Sequence, residues 1–118
     1  MNDDINNKDI FILYGIDIDK FNEYQLEVIY DGIVNDINID VYAKSYYDSD
    51  QMIEIKKGLE RNLDISKYSN KELSWLQMAK IRKGLEEGID VTKYNDPQYN
   101  YMEMEDIMVA LRIFKNII

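Results

Sequence analysis

A repeat of 26 residues constrains this chain more than any other feature of its sequence. Residues 51–68 read QMIEIKKGLERNLDISKY, and residues 77–94 read QMAKIRKGLEEGIDVTKY. Residues 25–42 match less closely, and residues 103–118 match only the first half. A constant period of this length is typical of proteins built from stacked supersecondary units.

Each copy opens with four apolar residues separated by three, four and four positions. This spacing forms one stripe of an α-helix and lacks the alternation that a strand requires. We therefore predict a helix of about a dozen residues in each copy. The stripes are Leu26, Ile29, Ile33 and Ile37; Met52, Ile55, Leu59 and Leu63; and Met78, Ile81, Leu85 and Ile89.

A small residue precedes the third stripe position in every copy: Gly32, Gly58, Gly84 and, in the last copy, Ala110. A glycine inside a helix costs about 1 kcal/mol relative to alanine, so three in register need a common reason. We expect close approach of another helix at this position. Inheritance from a duplicated ancestor, with no present role, is the alternative.

Asn or Asp follows each predicted helix, and a branched residue and a tyrosine come next, as in Asp64, Ile65 and Tyr68. Asn and Asp favour caps and turns, and the spacing of three suits one more short helical turn. The predicted fold is all-α, with helix and short-helix repeats packed as one domain. Its expected parts are a cap (1–24), three repeats (25–50, 51–76 and 77–102) and a truncated repeat (103–118).

The two ends depart from the repeat. We expect residues 1–9 to be frayed, and residues 10–21 to be a half-copy that forms a helix. A short strand is the alternative for residues 10–18, which are β-branched and partly alternating. At the other end, Ile113, Phe114, Ile117 and Ile118 either fold back over the core or form a dimer patch. We favour the first, because repeat arrays need an atypical terminal unit.

Polar residues before the second and third copies predict where their helices begin. Ser49 or Asp50 is the expected N-cap of one helix, and Ser69 or Asn70 that of the next. Residues 71–76 would then extend the later helix backwards. Trp75 lies beside its apolar stripe, and we expect it in the core.

The net charge of −9 is concentrated in the first half of the chain. Residues 1–50 hold twelve acidic and three basic side chains, whereas residues 51–118 hold eleven of each. A solvated acidic surface is one interpretation. The other is a face that imitates a phosphate backbone and binds a basic groove. Our candidate partner-binding residues are Asp31, Asp36, Asp40, Tyr46, Tyr47, Asp48 and Asp50.

Two details of this candidate face stay open. Tyr46 and Tyr47 are equally suited to an exposed contact patch and to packing on the core. Lys56, Lys57, Arg82 and Lys83 form a basic strip in the later copies, which is the rival binding surface. Direct binding of nucleic acid is not expected, because the acidic half would repel it.

The sequence lacks the residues on which most catalysis depends. It has no histidine and no cysteine, hence neither the commonest general base nor the usual zinc ligands and disulfides. Pairs such as Asp17 and Asp19 do not continue into a calcium-binding loop. We expect no enzyme, no cofactor and no metal site. The acidic N-terminus does not fit a secretory signal, and no apolar run suits a membrane helix, so we expect a cytoplasmic protein.

The repeat unit, best seen in residues 51–68 and 77–94, resembles short helical repeats in proteins of phages and conjugative elements of low-GC bacteria. A small acidic protein of this kind resembles the anti-CRISPR proteins, many of which bind a nuclease complex directly. The resemblance implies an inhibitor of an RNA-guided nuclease, present as a monomer or homodimer in the host cytoplasm. It carries over no functional residues. The alternative is a protein–protein interaction adaptor of a phage or mobile element.

Overall fold

The computed structural model describes the backbone of residues 3–117 and the side chains of residues 8–117. It confirms the all-α prediction, since every regular element in this part of the chain is helical. Five α-helices alternate with four short 3₁₀ helices. They are α1 (Asp3–Leu13), η1 (Ile18–Lys20), α2 (Glu23–Val34), η2 (Ile39–Val41), α3 (Ser49–Glu60), η3 (Ile65–Lys67), α4 (Trp75–Glu86), η4 (Val91–Lys93) and α5 (Tyr101–Ile117).

A reciprocal pair of hydrogen bonds fixes the start of α2, α3 and α4. In α3 the Asp48 side chain accepts from the Gln51 backbone N–H, and the Gln51 side chain accepts from the Asp48 N–H. Asn22 with Gln25 and Ser74 with Gln77 repeat the arrangement. This capping box satisfies two backbone donors at once. The N-cap of each of these helices is therefore the residue three positions before the glutamine.

The predicted N-caps were therefore wrong by a few residues. Ser49 and Asp50 lie inside α3, and Ser69 and Asn70 lie in the loop before α4. The predicted extension over residues 71–76 is also wrong except for its last two residues, because α4 begins only at Trp75. Trp75 is 43% exposed, so its expected place in the core is wrong too.

Each of the helices α1 to α4 is followed by a left-handed residue, with φ between 56° and 70° at Gly15, Asp36, Asn62 and Gly88. The next amide then bonds back into the helix; in α3, Leu63 N–H donates to Gly58 O at 2.9 Å. This is the hydrogen bonding of a Schellman-type cap. The fourth member of each apolar stripe consequently lies just beyond its helix.

The in-register glycines accommodate a tyrosine of their own unit. A Cβ on Gly58 would lie 2.0 Å from Tyr68 Oη and 2.6 Å from Ile65 Cγ2. The Tyr68 hydroxyl instead donates to Glu54 O at 2.6 Å. Tyr42 and Tyr94 make the same bond one unit earlier and later. The expectation of close packing holds, but the neighbour is the short helix and not another long one.

Two kinds of contact join consecutive units. The Gln51 side-chain amide donates to Leu73 O at 2.7 Å, which ties α3 to the loop that leads into α4. The second contact is a buried ion pair in which Arg82 Nε lies 2.7 Å from Glu54 Oε2. Its carboxylate partners Glu54 and Glu86 raise the pKa of Arg82 against the lowering effect of burial.

The N-terminal segment is helical, with α1 over Asp3–Leu13 and η1 over Ile18–Lys20, so the strand alternative for residues 10–18 is wrong. Ile16 N–H donates to Phe11 O at 2.8 Å, which aligns Phe11 with Gly32, whose carbonyl accepts from Ile37 at the same distance. Phe11 is buried. Residues 3–9 are helical, which corrects the expectation that they are frayed; residues 1 and 2 lie outside the described part.

At the other end, α5 is longer than the earlier helices and runs on to Ile117. Met104 and Met108 are buried on the face of α5 that packs against α4. Ile113, Phe114 and Ile117 are 56%, 62% and 77% exposed, so the prediction that they seal the core is wrong. Ile118 lies outside the described residues. The stack as a whole is elongated, with extents of 57 × 24 × 19 Å.

Candidate functional site

The five predicted aspartates of the first half are all exposed. Asp36 and Asp40 line one shallow depression at the end of α2, which they share with Tyr14. Asp36 also carries the left-handed backbone that ends α2, with φ of 58°. The structure therefore brings these two carboxylates together and gives one of them a local structural role.

Asp31 lies apart from that depression, in an open groove between α2 and α3. Its Oδ2 is 2.6 Å from Lys56 Nζ, and its side chain is half exposed. Tyr30 and Ile53 supply apolar surface to the same groove. Because Lys56 already offsets the charge of Asp31, this carboxylate has less to offer a partner than the other four.

Asp48 and Asp50 stand at the start of α3. Asp48 Oδ1 accepts from Gln51 N–H at 2.8 Å, so its carboxylate is engaged in capping. Asp50 lies in the first turn, where a negative charge interacts favourably with the helix dipole. It is free to contact a partner without loss of an internal hydrogen bond.

The two adjacent tyrosines have different environments. Tyr47 is only 4% exposed, because its carbonyl accepts from the Gln25 side chain at 2.6 Å and the loop is drawn onto the core. Burial raises the pKa of Tyr47, and the neighbouring Tyr46 adds to the effect. Tyr46 is 56% exposed, with Lys71 Nζ 5.5 Å from its ring centroid. Tyr46 is thus the accessible aromatic residue of this region.

The rival basic strip is largely engaged in internal ion pairs. Arg82 is buried between Glu54 and Glu86, and Lys56 is bound to Asp31. Lys57 Nζ lies 3.6 Å from Glu54 Oε1. Lys83 alone of the four is not in an ion pair among the described side chains. The four residues therefore stabilise the stack and do not present a continuous basic surface.

Charge separation is the main electrostatic feature of the molecule. Among the carboxylates of the first half whose side chains are described, Asp31 alone forms an ion pair. In the second half, Glu54, Glu60, Glu86, Glu87 and Glu105 all do. The acidic half thus keeps most of its negative charge directed to solvent.

Apolar surface is exposed at both ends of the stack, whereas the sequence predicted the C-terminal patch only as the less favoured alternative and did not predict the one on α1. Ile12 and Leu13 on α1 are 72% and 82% exposed. Ile113, on α5, occupies the repeat position of Arg61 and Glu87. That substitution of an apolar residue for charged ones in register is the signal that could have revealed the surface.

The described residues contain no group of acidic side chains arranged to hold a metal ion. Within the same part of the chain, every helix falls short of the length and apolarity that a membrane crossing demands. Comparison with protein families, with curated proteins and with solved structures gave no match to this chain.

Proposed function

We propose that this chain is a non-enzymatic binding protein whose acidic first half docks on a basic surface of a protein partner. The observation that carries the proposal is the charge separation: exposed carboxylates without internal cations occupy one half of the stack. Such a surface steers association with a basic partner, and that association weakens as salt increases. Asp36, Asp40, Asp50 and Tyr46 are the proposed contacts.

The partner class in this proposal is a nucleic-acid-processing enzyme of the host cytoplasm, and specifically an RNA-guided nuclease. Such enzymes hold their substrate in a positively charged channel. Carboxylates spaced along an elongated helical stack would compete with the phosphates for that channel. The chain would then act as a stoichiometric inhibitor of the anti-CRISPR type, and the absence of histidine and cysteine from the sequence is consistent with that role.

The test is binding to purified RNA-guided nuclease complexes at low and high salt, followed by a cleavage assay. We would change Asp36, Asp40 and Asp50 together to asparagine. This variant loses three charges and keeps the Asp31–Lys56 pair, the Asp48 cap and a residue that tolerates positive φ at position 36. We expect salt-sensitive binding by the parent chain and weaker binding and inhibition by the variant.

A matched control removes three charges from the other half, by Glu60→Gln, Glu72→Gln and Asp106→Asn. These carboxylates are exposed, and only Glu60 is in an ion pair, at 3.6 Å from Lys56. The control should bind like the parent chain. Equal binding by both variants would overturn the acidic docking surface, and the lack of any binding to nucleases would overturn the partner class.

A further inference from the structure

Ion pairs at two fixed repeat positions connect consecutive long helices. Arg61 Nε, at the C-cap of α3, lies 3.6 Å from Glu86 Oε2 on α4, and Arg112 Nε on α5 lies 2.6 Å from Oε1 of Glu87, the C-cap of α4. Arg61 and Glu87 are 26 residues apart, as are Glu86 and Arg112. We call the position of Arg61 and Glu87 the forward position, because both side chains contact the following helix. We call the position of Glu86 and Arg112 the backward position, because both contact the preceding one.

The forward position of the last helix and the backward position of the first helix have no neighbouring unit among the described residues. Ile113 holds the forward position in α5, 26 residues after Glu87. Aligning α1 through its C-terminal turn, where Phe11 O matches Gly32 O, places Leu13 at the backward position. Ile113 and Leu13 are 56% and 82% exposed. Both ends thus carry an apolar residue at the positions where α3, α4 and α5 are joined by ion pairs.

Further apolar side chains surround each of these two residues. Phe114 and Ile117 extend the exposed surface of α5 beyond the point where α3 and α4 end, and Ile12 adjoins Leu13 on α1. Apolar surface concentrated in one place on a protein is a common mark of an interaction site. The register specifies which end of the stack matches which.

We propose that copies of this chain associate head to tail, with α5 of one copy packed on α1 of the next. The contact would continue the stacking of α3 on α4 and of α4 on α5, with Ile113 against Leu13 in place of Arg61 against Glu86. Such an interface is heterologous, so it builds open chains of molecules and not closed dimers. It is independent of the acidic docking surface.

The same register predicts how salt affects this association. Glu54 and Arg82 bridge α3 and α4, and the equivalent residues at the two ends are Asp106 and Asp9. Two carboxylates would therefore approach each other across the interface. Because salt screens this repulsion, association should strengthen as salt is added. This is opposite to the salt dependence of acidic docking on a basic partner.

Light scattering against protein concentration tests the proposal. The weight-average mass of the parent chain should rise continuously above the 14.1 kDa of one molecule, and rise further with salt. Leu13→Glu and Ile113→Glu should each remain monomeric. An equimolar mixture of the two variants should form heterodimers and nothing larger. The intact α5 of the Leu13→Glu variant packs on the intact α1 of the Ile113→Glu variant, and the two ends that carry the new glutamates repel each other.

A double variant provides a stricter test in a single chain. Leu13→Glu with Ile113→Arg recreates the Glu86 and Arg61 pair at the ends, so self-association should return and should depend less on salt, because the new attraction opposes the repulsion of Asp9 and Asp106. A parent chain that stays at 14.1 kDa at every concentration would overturn the proposal. So would undiminished association of Leu13→Glu, which would indicate symmetric pairing of two α5 helices. Circular dichroism would verify that each variant is folded.

Discussion

Replacing Gly84 by alanine tests how the long and short helices of a unit fit together. The new Cβ would lie 2.0 Å from Tyr94 Oη and 2.8 Å from Val91 Cγ1. Tyr94 is fully buried, and its hydroxyl donates to Lys80 O at 2.9 Å. The hydroxyl must move, so the hydrogen bond and the packing of the ring are disturbed together.

The expected cost follows from three opposing contributions. Alanine in place of glycine stabilises a helix interior by about 1 kcal/mol. Loss of the tyrosine hydrogen bond costs about 1 kcal/mol, and overpacking of a buried site costs about 2 kcal/mol. The free energy of unfolding should therefore fall by about 2 kcal/mol. For a domain of this size, that corresponds to a decrease in melting temperature of about 8 °C.

Tyr94→Phe removes the hydroxyl that causes the clash. Alone, this change should cost about 1 kcal/mol, the value of the lost hydrogen bond. In the phenylalanine background, Gly84→Ala leaves only the 2.8 Å approach to Val91 and a 3.3 Å contact with the ring. Its cost there should fall to near zero, a coupling of about 2 kcal/mol between the two sites.

Urea unfolding followed by circular dichroism measures all four proteins of this cycle. The control is Ala110→Gly at the equivalent position of α5, which is exposed and has no tyrosine packed on it. It should lose about 1 kcal/mol, the ordinary cost of a helix glycine. If Gly84→Ala stabilises the protein, or costs the same in both backgrounds, then the tyrosine contact does not explain the glycine.

Three further predictions concern the buried polar contacts. Arg82→Met removes the hydrogen-bonded partner of the buried Glu54 and leaves only Lys57 Nζ, at 3.6 Å. It should cost about 3 kcal/mol, most of which Glu54→Met in the same chain should restore, measured by urea unfolding. Gln51→Glu should cost about 2 kcal/mol because a carboxylate cannot donate to Leu73 O, while Glu103→Gln, at the same position of exposed α5, should change stability little. Burial raises the pKa of Tyr42, Tyr68 and Tyr94 above the ordinary value of 10.0. Their contribution to stability should be constant at neutral pH, and as the pH rises through that ordinary value stability should fall by up to about 4 kcal/mol per pH unit, because the three tyrosines ionise first in the unfolded chain. Unfolding midpoints against pH, with tyrosine absorbance, would reveal a flat alkaline profile if this reasoning is incorrect.

Periodicity predicted the type and order of the helices because it reports a property that every copy shares. The second member of each stripe, which is Ile29, Ile55 or Ile81, is completely buried. Helix starts were misplaced because several residues near each start can cap a helix. The choice among them depends on the glutamine three positions later, whose side chain also bonds to the next loop. That second bond joins residues more than 20 positions apart, and helix-start rules consider only local sequence.

The ends were predicted least well, for a different physical reason. A repeat register assigns each residue the environment of its equivalents, but among residues 3–117 the first and last units have a described neighbour on one side only. Ile113 was expected to seal the core because it is apolar and because a repeat array needs an atypical terminal unit. Its position is the one at which Arg61 and Glu87 reach forward to the following helix. Register and chemistry together, and not hydrophobicity alone, would have predicted an exposed position.

The separation of charge follows from the way the units are joined. In the second half, cations and carboxylates meet across helix interfaces, as Arg82 meets Glu54. In the first half the equivalent of Arg82 is Tyr30, which packs edge-on against Phe11 with ring centroids 6.3 Å apart. Because an aromatic contact connects these helices, the carboxylates around it are not needed for stacking. Their mutual repulsion should destabilise the fold slightly, so changing them to amides should offset the small loss of the favourable interaction of Asp50 with the helix dipole and leave stability nearly unchanged. Weaker binding by the asparagine variant would therefore measure the loss of a contact surface and not the loss of the fold.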